Sequence, residues 1–345
     1  MTHELYMQRC LQLAKNGFGT TSPNPMVGCV IVLDNQIIGE GWHQKAGKAH
    51  AEVNAINSVK DKSLLAKATL YVSLEPCSHF GKTPPCSDLI IENNIPKVVI
   101  GTVDPHSKVA GKGIEKLQNA GIFVEVGVLE KKCREINKRF FTFHLQKRPY
   151  IVLKWAESAD GFLAPLYKEK TQPVWITNVY SRQLVHKWRT EEQGILAGTA
   201  TVLADNPNLN ARDWNGENPV RIVLDRSGKI PANFAIKNKT QKTIIFTEQE
   251  ILSTDENCIY ENTIFDNQLI ERICAFLFTL EIQSILVEGG AKTIKSFIEA
   301  GLWDEARIFK GSTLFQEGTK APLLKGTLKS KQIINKDELL ILTKP

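Results

Sequence analysis

The apolar positions of this chain recur at helical and extended spacings in alternation, and the pattern runs twice. Leu5, Tyr6, Leu11 and Leu13 fall at roughly helical spacing within His3–Asn16, and Gly17 marks a stop. Val27–Leu33 and Gln36–Gly41 read as strands joined at Asp34-Asn35, a hairpin. Then come a helix at His50–Val59, a strand at Ala68–Leu74, a helix at Cys86–Asn93, a strand at Lys97–Gly101, a helix at Gly113–Ala120 and a strand at Ile122–Val126. This alternation predicts an α/β layered domain with helices on both faces of a sheet. A closing helix is expected over Glu130–Gln146, and Lys147-Arg148-Pro149 marks a break, since proline disfavours helix at the residue before it.

A second pattern opens at Tyr150. It reads as strands at Tyr150–Trp155, Gly194–Ala197, Pro219–Asp225, Lys242–Phe246 and Gln283–Val287, with helices near Ser181–Thr190 and Ala291–Ala300. Residues 226–280 are more weakly patterned. Two domains, 1–147 and 148–345, both α/β, are therefore expected, which suits a length of 345 residues.

Composition narrows the class. Hydrophobic residues at 42% and charged residues at 23% are the balance of an ordinary globular protein. No apolar run approaches the roughly 18 residues of a membrane helix, and the opening Met-Thr-His-Glu carries no basic or apolar signal region. A cytoplasmic protein without membrane partners is the expectation. The net charge of +6 belongs to the first 148 residues, with 19 Lys/Arg against 13 Asp/Glu; the remainder holds 24 of each. That excess suits an anionic small molecule or RNA, and equally a solvated surface. Seven cysteines, an odd number, argue against a disulfide framework.

Two of those cysteines carry chemistry. His50-Ala51-Glu52 opens a predicted helix, Glu75-Pro76-Cys77 follows a predicted strand, and Cys86 comes nine residues after Cys77. One imidazole and two thiolates give Zn²⁺ three ligands and leave the fourth tetrahedral position to water, the pattern of a catalytic site. Zinc lowers the pKa of such a water toward about 7. Glu52, two residues from His50, can carry the proton from that water to a ring nitrogen and to leaving ammonia. A lone His-x-Glu means little, but with Pro-Cys and a second Cys it is the signature of zinc nucleobase deaminases, here with eight residues between the cysteines instead of two.

That longer loop, Cys77-Ser78-His79-Phe80-Gly81-Lys82-Thr83-Pro84-Pro85-Cys86, narrows the family. With Thr21-Ser22-Pro23-Asn24-Pro25-Met26-Val27-Gly28 and Gly41-Trp42-His43, it closely resembles the bifunctional riboflavin-biosynthesis deaminase/reductases. The resemblance implies a cytidine-deaminase-like three-layer α/β/α domain that removes ammonia from 2,5-diamino-6-ribosylamino-4(3H)-pyrimidinone 5′-phosphate. It implies that Asn24 and His43 hold the pyrimidine edge, and that His79, Lys82 and Asp104 contact the ribosyl phosphate part.

The second half carries the resemblance further. Leu153-Lys154-Trp155-Ala156-Glu157-Ser158-Ala159-Asp160-Gly161, Gly198-Thr199-Ala200-Thr201-Val202-Leu203-Ala204-Asp205-Asn206-Pro207, Leu286–Lys292 with its Val287-Glu288-Gly289-Gly290, and Ala300-Gly301-Leu302-Trp303-Asp304-Glu305 look like the family's reductase domain, which is dihydrofolate-reductase-like. Glycines between a strand and a helix let the backbone approach a phosphate, although this is not a G-x-G-x-x-G fingerprint. The family pattern implies that Ala156, Trp175, Thr201, Asp205 and Gly290 contact NADPH. It implies that Arg189, Leu209, Arg212 and Glu288 line the substrate site, with both arginines on its phosphate. Reduction at C1′ would open ribosyl to ribityl, with Lys154 and Glu288 as candidates for handling protons. Ala159 and Pro173 depart from the family's Leu and Ser, and Pro173 has no hydroxyl to offer substrate.

The partners implied are phosphorylated pyrimidines and no nucleic acid, and a homo-oligomer stays open. Two other readings remain: a deaminase with a decayed reductase domain, and an RNA-acting deaminase with a C-terminal binding module. The second would call for a basic, aromatic-rich second half, and that half is neutral.

Overall fold

The computed structural model describes residues 2–345 apart from 79, 81–83, 107–108, 169–170, 172 and 252–254. The chain divides into two compact units, Met1–Lys147 and Arg148–Pro345. Among the described residues, no helix is long and apolar enough to cross a membrane.

The first unit runs α1 (His3–Ala14), β1 (Gly28–Leu33), β2 (Gln36–Trp42), α2 (Ala51–Ser58), β3 (Thr69–Val72), α3 (Cys86–Glu92), β4 (Lys97–Ile100), α4 (Lys112–Asn119), β5 (Phe123–Val126), α5 (Glu130–Ile136) and α6 (Lys138–Gln146). Its sheet has the order β2-β1-β3-β4-β5, antiparallel on the β2 side and parallel from β3 to β5. Asp34 and Asn35 take φ of 47° and 63°, the left-handed pair that a two-residue hairpin needs. Strand residues then sort by twos. Cys29, Ile31, Leu70, Val72, Val98 and Ile100 face α2, α3 and α4, while Val30, Val32, Tyr71 and Val99 face α1 and α5. Both faces are apolar because both are covered, giving three layers.

The expected single helix over 130–146 is two. The break falls at Asn137, whose side chain accepts from Met26 N–H at 2.8 Å and donates to Met26 C=O at 2.8 Å. A tertiary bond to the segment before β1 fixes a turn that local spacing does not show.

The second unit runs β6 (Tyr150–Glu157), β7 (Phe162–Pro165), α7 (Val179–Glu191), β8 (Gly194–Gly198), α8 (Thr199–Asp205), β9 (Val220–Leu224), β10 (Thr243–Thr247), β11 (Cys258–Asn262), α9 (Leu269–Thr279), β12 (Ser284–Gly289), α10 (Ala291–Glu299), β13 (Glu305–Lys310), β14 (Gly318–Lys320), β15 (Thr327–Ile334) and β16 (Asp337–Thr343). Its sheet has the order β11-β10-β9-β8-β12-β6-β13-β16-β15. Strands β11 to β13 in that order are parallel, and β16 and β15 close the far side antiparallel. Helices α9 and α10 cover one face, and α7 and α8 the other. The weakly patterned stretch 226–280 holds a parallel edge strand and an 11-residue helix, and the final third supplies strands that the apolar spacing did not reveal.

Topology places the functional end of this sheet. The chain enters at β6, sets β8 two places to one side and later fills the gap with β12. Ligands of parallel sheets bind beyond the carboxyl ends of strands at such a change of direction. Those ends carry Ala156 and Glu157 from β6, Gly198 from β8 and Gly289 from β12.

Candidate active sites

In the first unit, the parallel pair β3 and β4 delivers two loops to one edge: Glu75-Pro76-Cys77 and the segment holding Asp104. Glu75 is buried and ties them together. Its carboxylate accepts from the backbone N–H of Asp104 at 3.2 Å, Gly111 at 3.0 Å, Gly113 at 2.9 Å and Ile114 at 3.3 Å. Gly113 approaches so closely that a Cβ there would stand 2.0 Å from Pro76 C=O. The start of α4 is thereby pressed onto the backbone leading to Cys77. Sequence reasoning assigned no role to Glu75; a carboxylate directly before Pro-Cys, followed by a glycine-rich helix start, was the available signal.

Helices α2 and α3 bring the remaining groups. His50 is the N-cap of α2, Glu52 lies in its first turn, and Cys86 is the first residue of α3. His50 Nδ1 stands 3.6 Å from Cys77 Sγ and 3.3 Å from Cys86 Sγ, and all three ligand atoms lie within 4.8 Å of one another. Tetrahedral zinc, with Zn–S about 2.3 Å and Zn–N about 2.0 Å, sets its ligand atoms roughly 3.5–3.8 Å apart. The donor set fits zinc in number, type and spacing. Hydrogen bonding by Cys86, with help from His50, holds the Cys77 thiol down at about 4 against its burial. The Cys86 N–H also donates to Cys77 Sγ at 3.3 Å.

Glu52 is buried, with its carboxyl in hydrogen-bond reach of Cys86 and no place among the three ligands. Burial pushes it up to about 7, opposed by His50. His43 is buried beside the cluster, its ring edge-on to His50 at 5.3 Å. Its Nδ1 is 3.0 Å from Ala49 C=O and its Nε2 is 3.1 Å from Asn24 Nδ2. Ala49 can only accept, so Nδ1 carries the proton and Nε2 accepts from Asn24. Burial lowers His43, which keeps that neutral form. Burial also raises Asp104 to about 6, with Glu75 and Cys77 as negative neighbours. Asn24, His43, Glu52 and the three ligand residues thus share one site. His79 and Lys82 lie outside the described residues.

The second unit holds a cavity of about 720 Å³ at the strand ends. Lys154, Ala156, Trp175, Arg189, Thr201, Asp205, Leu209, Arg212, Glu288 and Gly290 all line it, so ten positions spread over 137 residues of chain converge on one space. Two wall features fit a dinucleotide. Gly289 has φ +146°, and a Cβ on Gly290 would stand 2.8 Å from Thr201 Oγ1, so backbone forms the wall there. Gly290 is also the N-cap of α10, whose first amides take no side-chain cap.

An ion network crosses the floor. Arg189 donates from both Nε and Nη2 to the two oxygens of Glu288, each at 2.7 Å, and from Nη1 to Asn210 C=O at 2.8 Å. Lys154 Nζ lies 3.9 Å from Glu288. Burial pushes Glu288 up, yet Arg189 and Lys154 overcome it and hold the carboxyl at about 2. Burial lowers Lys154, with Arg189 acting in the same direction. The Arg189 fork is therefore spent on a carboxylate, whereas Arg212 is 46% exposed. Asp205 pairs with Lys168. Pro173 lines the cavity, while the side chain at Ala159 is exposed and its N–H donates to Thr313 C=O, so that departure lies in a turn. Arg182 and His186, also in the wall, escaped sequence reasoning. Arg182, Val185, His186 and Arg189 recur at the spacing of one helix face, and that was the signal.

Comparison with known proteins decides the family. The RibD C-terminal domain matches residues 149–337, and the cytidine and deoxycytidylate deaminase zinc-binding region matches residues 1–102. Riboflavin biosynthesis protein RibD of Aquifex aeolicus is 43% identical over 317 residues, covering 91% of this chain and 88% of its own. The chain belongs to the RibD family. Its Escherichia coli relative is 37% identical over 326 residues, covering 90% and 87% of the two chains. Among solved structures, the diaminohydroxyphosphoribosylaminopyrimidine deaminase/5-amino-6-(5-phosphoribosylamino)uracil reductase of Thermotoga maritima superposes with a TM-score of 0.88 at 37% identity, over 99% and 98% of the chains. RibD of Acinetobacter baumannii gives 0.88 at 33% identity over the same shares. As a RibD protein, the chain is a bifunctional deaminase and reductase of riboflavin biosynthesis. Its two domains are cytidine-deaminase-like and dihydrofolate-reductase-like. Neither a decayed reductase nor an RNA-acting deaminase is favoured.

Proposed function

We propose that residues 1–147 deaminate 2,5-diamino-6-ribosylamino-4(3H)-pyrimidinone 5′-phosphate and that residues 148–345 reduce the product's ribosyl group to ribityl with NADPH. The convergence of His50, Cys77 and Cys86 beside a buried Glu52 carries the first half of this reading. Zinc held by those three residues supplies a Lewis acid that ionises water at neutral pH. Glu52 would relay the two protons of that water in turn, one to the ring nitrogen and the other to the leaving ammonia. Asn24, fixed by His43, presents its amide to the pyrimidine edge. Asp104, together with His79 and Lys82, meets the ribosyl phosphate.

In the reductase cavity, NADPH supplies the hydride. Ala156, Trp175, Thr201, Asp205 and the Gly289–Gly290 backbone would hold it. Leu209 and Arg212 bound the substrate, with Arg212 on its phosphate. Arg189 borders the substrate and keeps Glu288 in place. Opening the sugar ring needs a proton at the ring oxygen. Glu288 is held ionised and has none to give, so Lys154, whose proton is loosened by burial, is the donor.

Both reactions use small phosphorylated pyrimidines, without nucleic acid. Seven cysteines without disulfides suit the reducing cytoplasm. The test is a coupled assay on the full chain. The diaminopyrimidinone phosphate should release ammonia without NADPH, and adding NADPH should give oxidation matching the ammonia released. Metal analysis should return about one zinc per chain. Ammonia release from zinc-free protein, or no NADPH oxidation by the deaminated product, would refute the respective half.

A further inference from the structure

Five lysines and arginines line the reductase cavity: Lys154, Lys168, Arg182, Arg189 and Arg212. Four of them stand near a carboxylate. Lys154 and Arg189 share Glu288, Lys168 takes Asp205, and Arg212 Nε lies 4.0 Å from Asp213 Oδ1. Arg182 is the exception. Among the described residues its guanidinium has neither an ion pair nor a hydrogen-bond acceptor. What it has is a ring: its Cζ stands 4.3 Å from the centroid of Trp175, itself 51% exposed at the cavity wall.

A guanidinium lying on an indole has its plane fixed while the N–H donors around its edge stay free. Such a fork, uncompensated in a cavity wall, suits a phosphate, which it can meet with two parallel hydrogen bonds. Position selects which phosphate. Arg182 and Arg189 lie on one face of α7, about 10 Å apart along its axis, with His186 between them. Lys154, the proton donor proposed above, fixes C1′ beside the network of Lys154, Glu288 and Arg189. The phosphate, at the other end of the sugar, therefore lies away from Arg189. Arg212 marks that side, for its neighbour Asp213 stands 3.3 Å from His186 Nε2, one helical turn from Arg182. Pro173, two residues before Trp175, brings no hydroxyl to the cavity, and the guanidinium on Trp175 supplies donors close to that gap. The cofactor's pyrophosphate has its own place, at the Gly289–Gly290 backbone and the uncapped first turn of α10.

We propose that Arg182 is a further substrate-binding residue of the reductase, and that with Arg212 it holds the substrate's 5′-phosphate in the role that the family pattern gave to Arg189. This rests on the reductase reading above and replaces one half of its phosphate clamp.

The test is steady-state NADPH oxidation by the full chain with the deaminated substrate varied. Arg182→Met keeps an apolar stem against Trp175 and removes the fork. It should raise KM for that substrate on the order of 10-fold, the low end for a hydrogen bond to a charged group, because Arg182 is partly exposed. KM for NADPH should be little changed. Dephosphorylated substrate already lacks the contact, so its kcat/KM should be the same for both proteins. Inorganic phosphate, competing with substrate, should inhibit the variant about 10-fold more weakly than wild type. Arg182→Lys restores a point charge without the fork and should recover part of the affinity. An equal loss with the dephosphorylated substrate would make Arg182 a packing residue, and a rise confined to NADPH would make it a cofactor contact. Either result overturns the proposal, as does an unchanged substrate KM or undiminished inhibition by phosphate. Wild-type protein that fails to oxidise NADPH with this substrate would sink the reductase reading instead.

Discussion

The two sites are built on opposite plans. The first gathers its reactive atoms from short motifs at strand ends and helix starts, and three of those atoms fit within 4.8 Å. The second gathers ten expected residues from six separate stretches around about 720 Å³ of space. In the first, the chemistry proposed resides in side-chain donor atoms and one buried carboxylate. In the second it resides in a cofactor, and the protein supplies shape, backbone amides and a fixed pattern of charge. One misplaced atom should therefore be ruinous at the first site, and graded losses should be the rule at the second.

The largest expected effect follows from this contrast. Glu52→Gln keeps the shape and the three ligand residues but removes the proton carrier. Deamination should fall by about 10²–10⁴-fold with zinc content unchanged. Reduction of independently supplied deaminated substrate should be unaffected. Loss of both activities, or of the zinc, would mean that Glu52 supports the fold instead.

Next comes the ion network under the cavity. Glu288→Gln leaves Arg189 and Lys154 as cations without their shared carboxylate, and removing one partner of a buried pair costs about 3–5 kcal/mol. Denaturant unfolding should show the second unit weakened by that order and its reductase activity lost, while ammonia release persists. A variant as stable as wild type would show that water satisfies those cations.

The same contrast explains what could be read from the sequence. Cys77, Cys86, His50 and Glu52 were legible because metal ligation demands particular atoms at short spacings, and spacing survives in one dimension. The layered alternation was legible wherever a strand lay under helices on both faces, as Val30–Val32 and Leu70–Val72 do. The break at Asn137 was not, because its cause is a bond to Met26, 111 residues away. β15 was not, because an edge strand with mostly exposed side chains has no apolar rhythm to detect. The Arg189–Glu288 fork, joining residues 99 apart, was equally hidden: both residues line the cavity, but the pairing needs the fold. His186 went unread because a histidine on a helix carries no mark of its partner.

A smaller effect is expected at the cofactor wall. Gly290→Ala sets a methyl 2.8 Å from Thr201 Oγ1, and threonine has little χ1 freedom to retreat. NADPH binding should weaken on the order of 10-fold, the equivalent of about 1.4 kcal/mol, with substrate KM little changed. Fluorescence titration of NADPH measures this directly. Undiminished binding would move the cofactor away from this turn.

The smallest effect treats the two units alike. Each carries a histidine lowered to about 4 chiefly by burial: His144 in the first, with His106 and Lys147 nearby, and His186 in the second. A histidine whose ordinary value is 6.5 takes up a proton in the unfolded chain well before it does so in the folded one. The unfolded state then binds more protons, so stability is full above pH 6.5 and declines as pH falls toward 4. Between pH 6.5 and about 5.5 each unit should lose about 1 kcal/mol from this source. His144→Gln should flatten that decline in the first unit alone, since glutamine does not titrate. A slope unchanged by the substitution would show that His144 does not set the acid sensitivity of that unit, and would leave the two units differing in yet another respect.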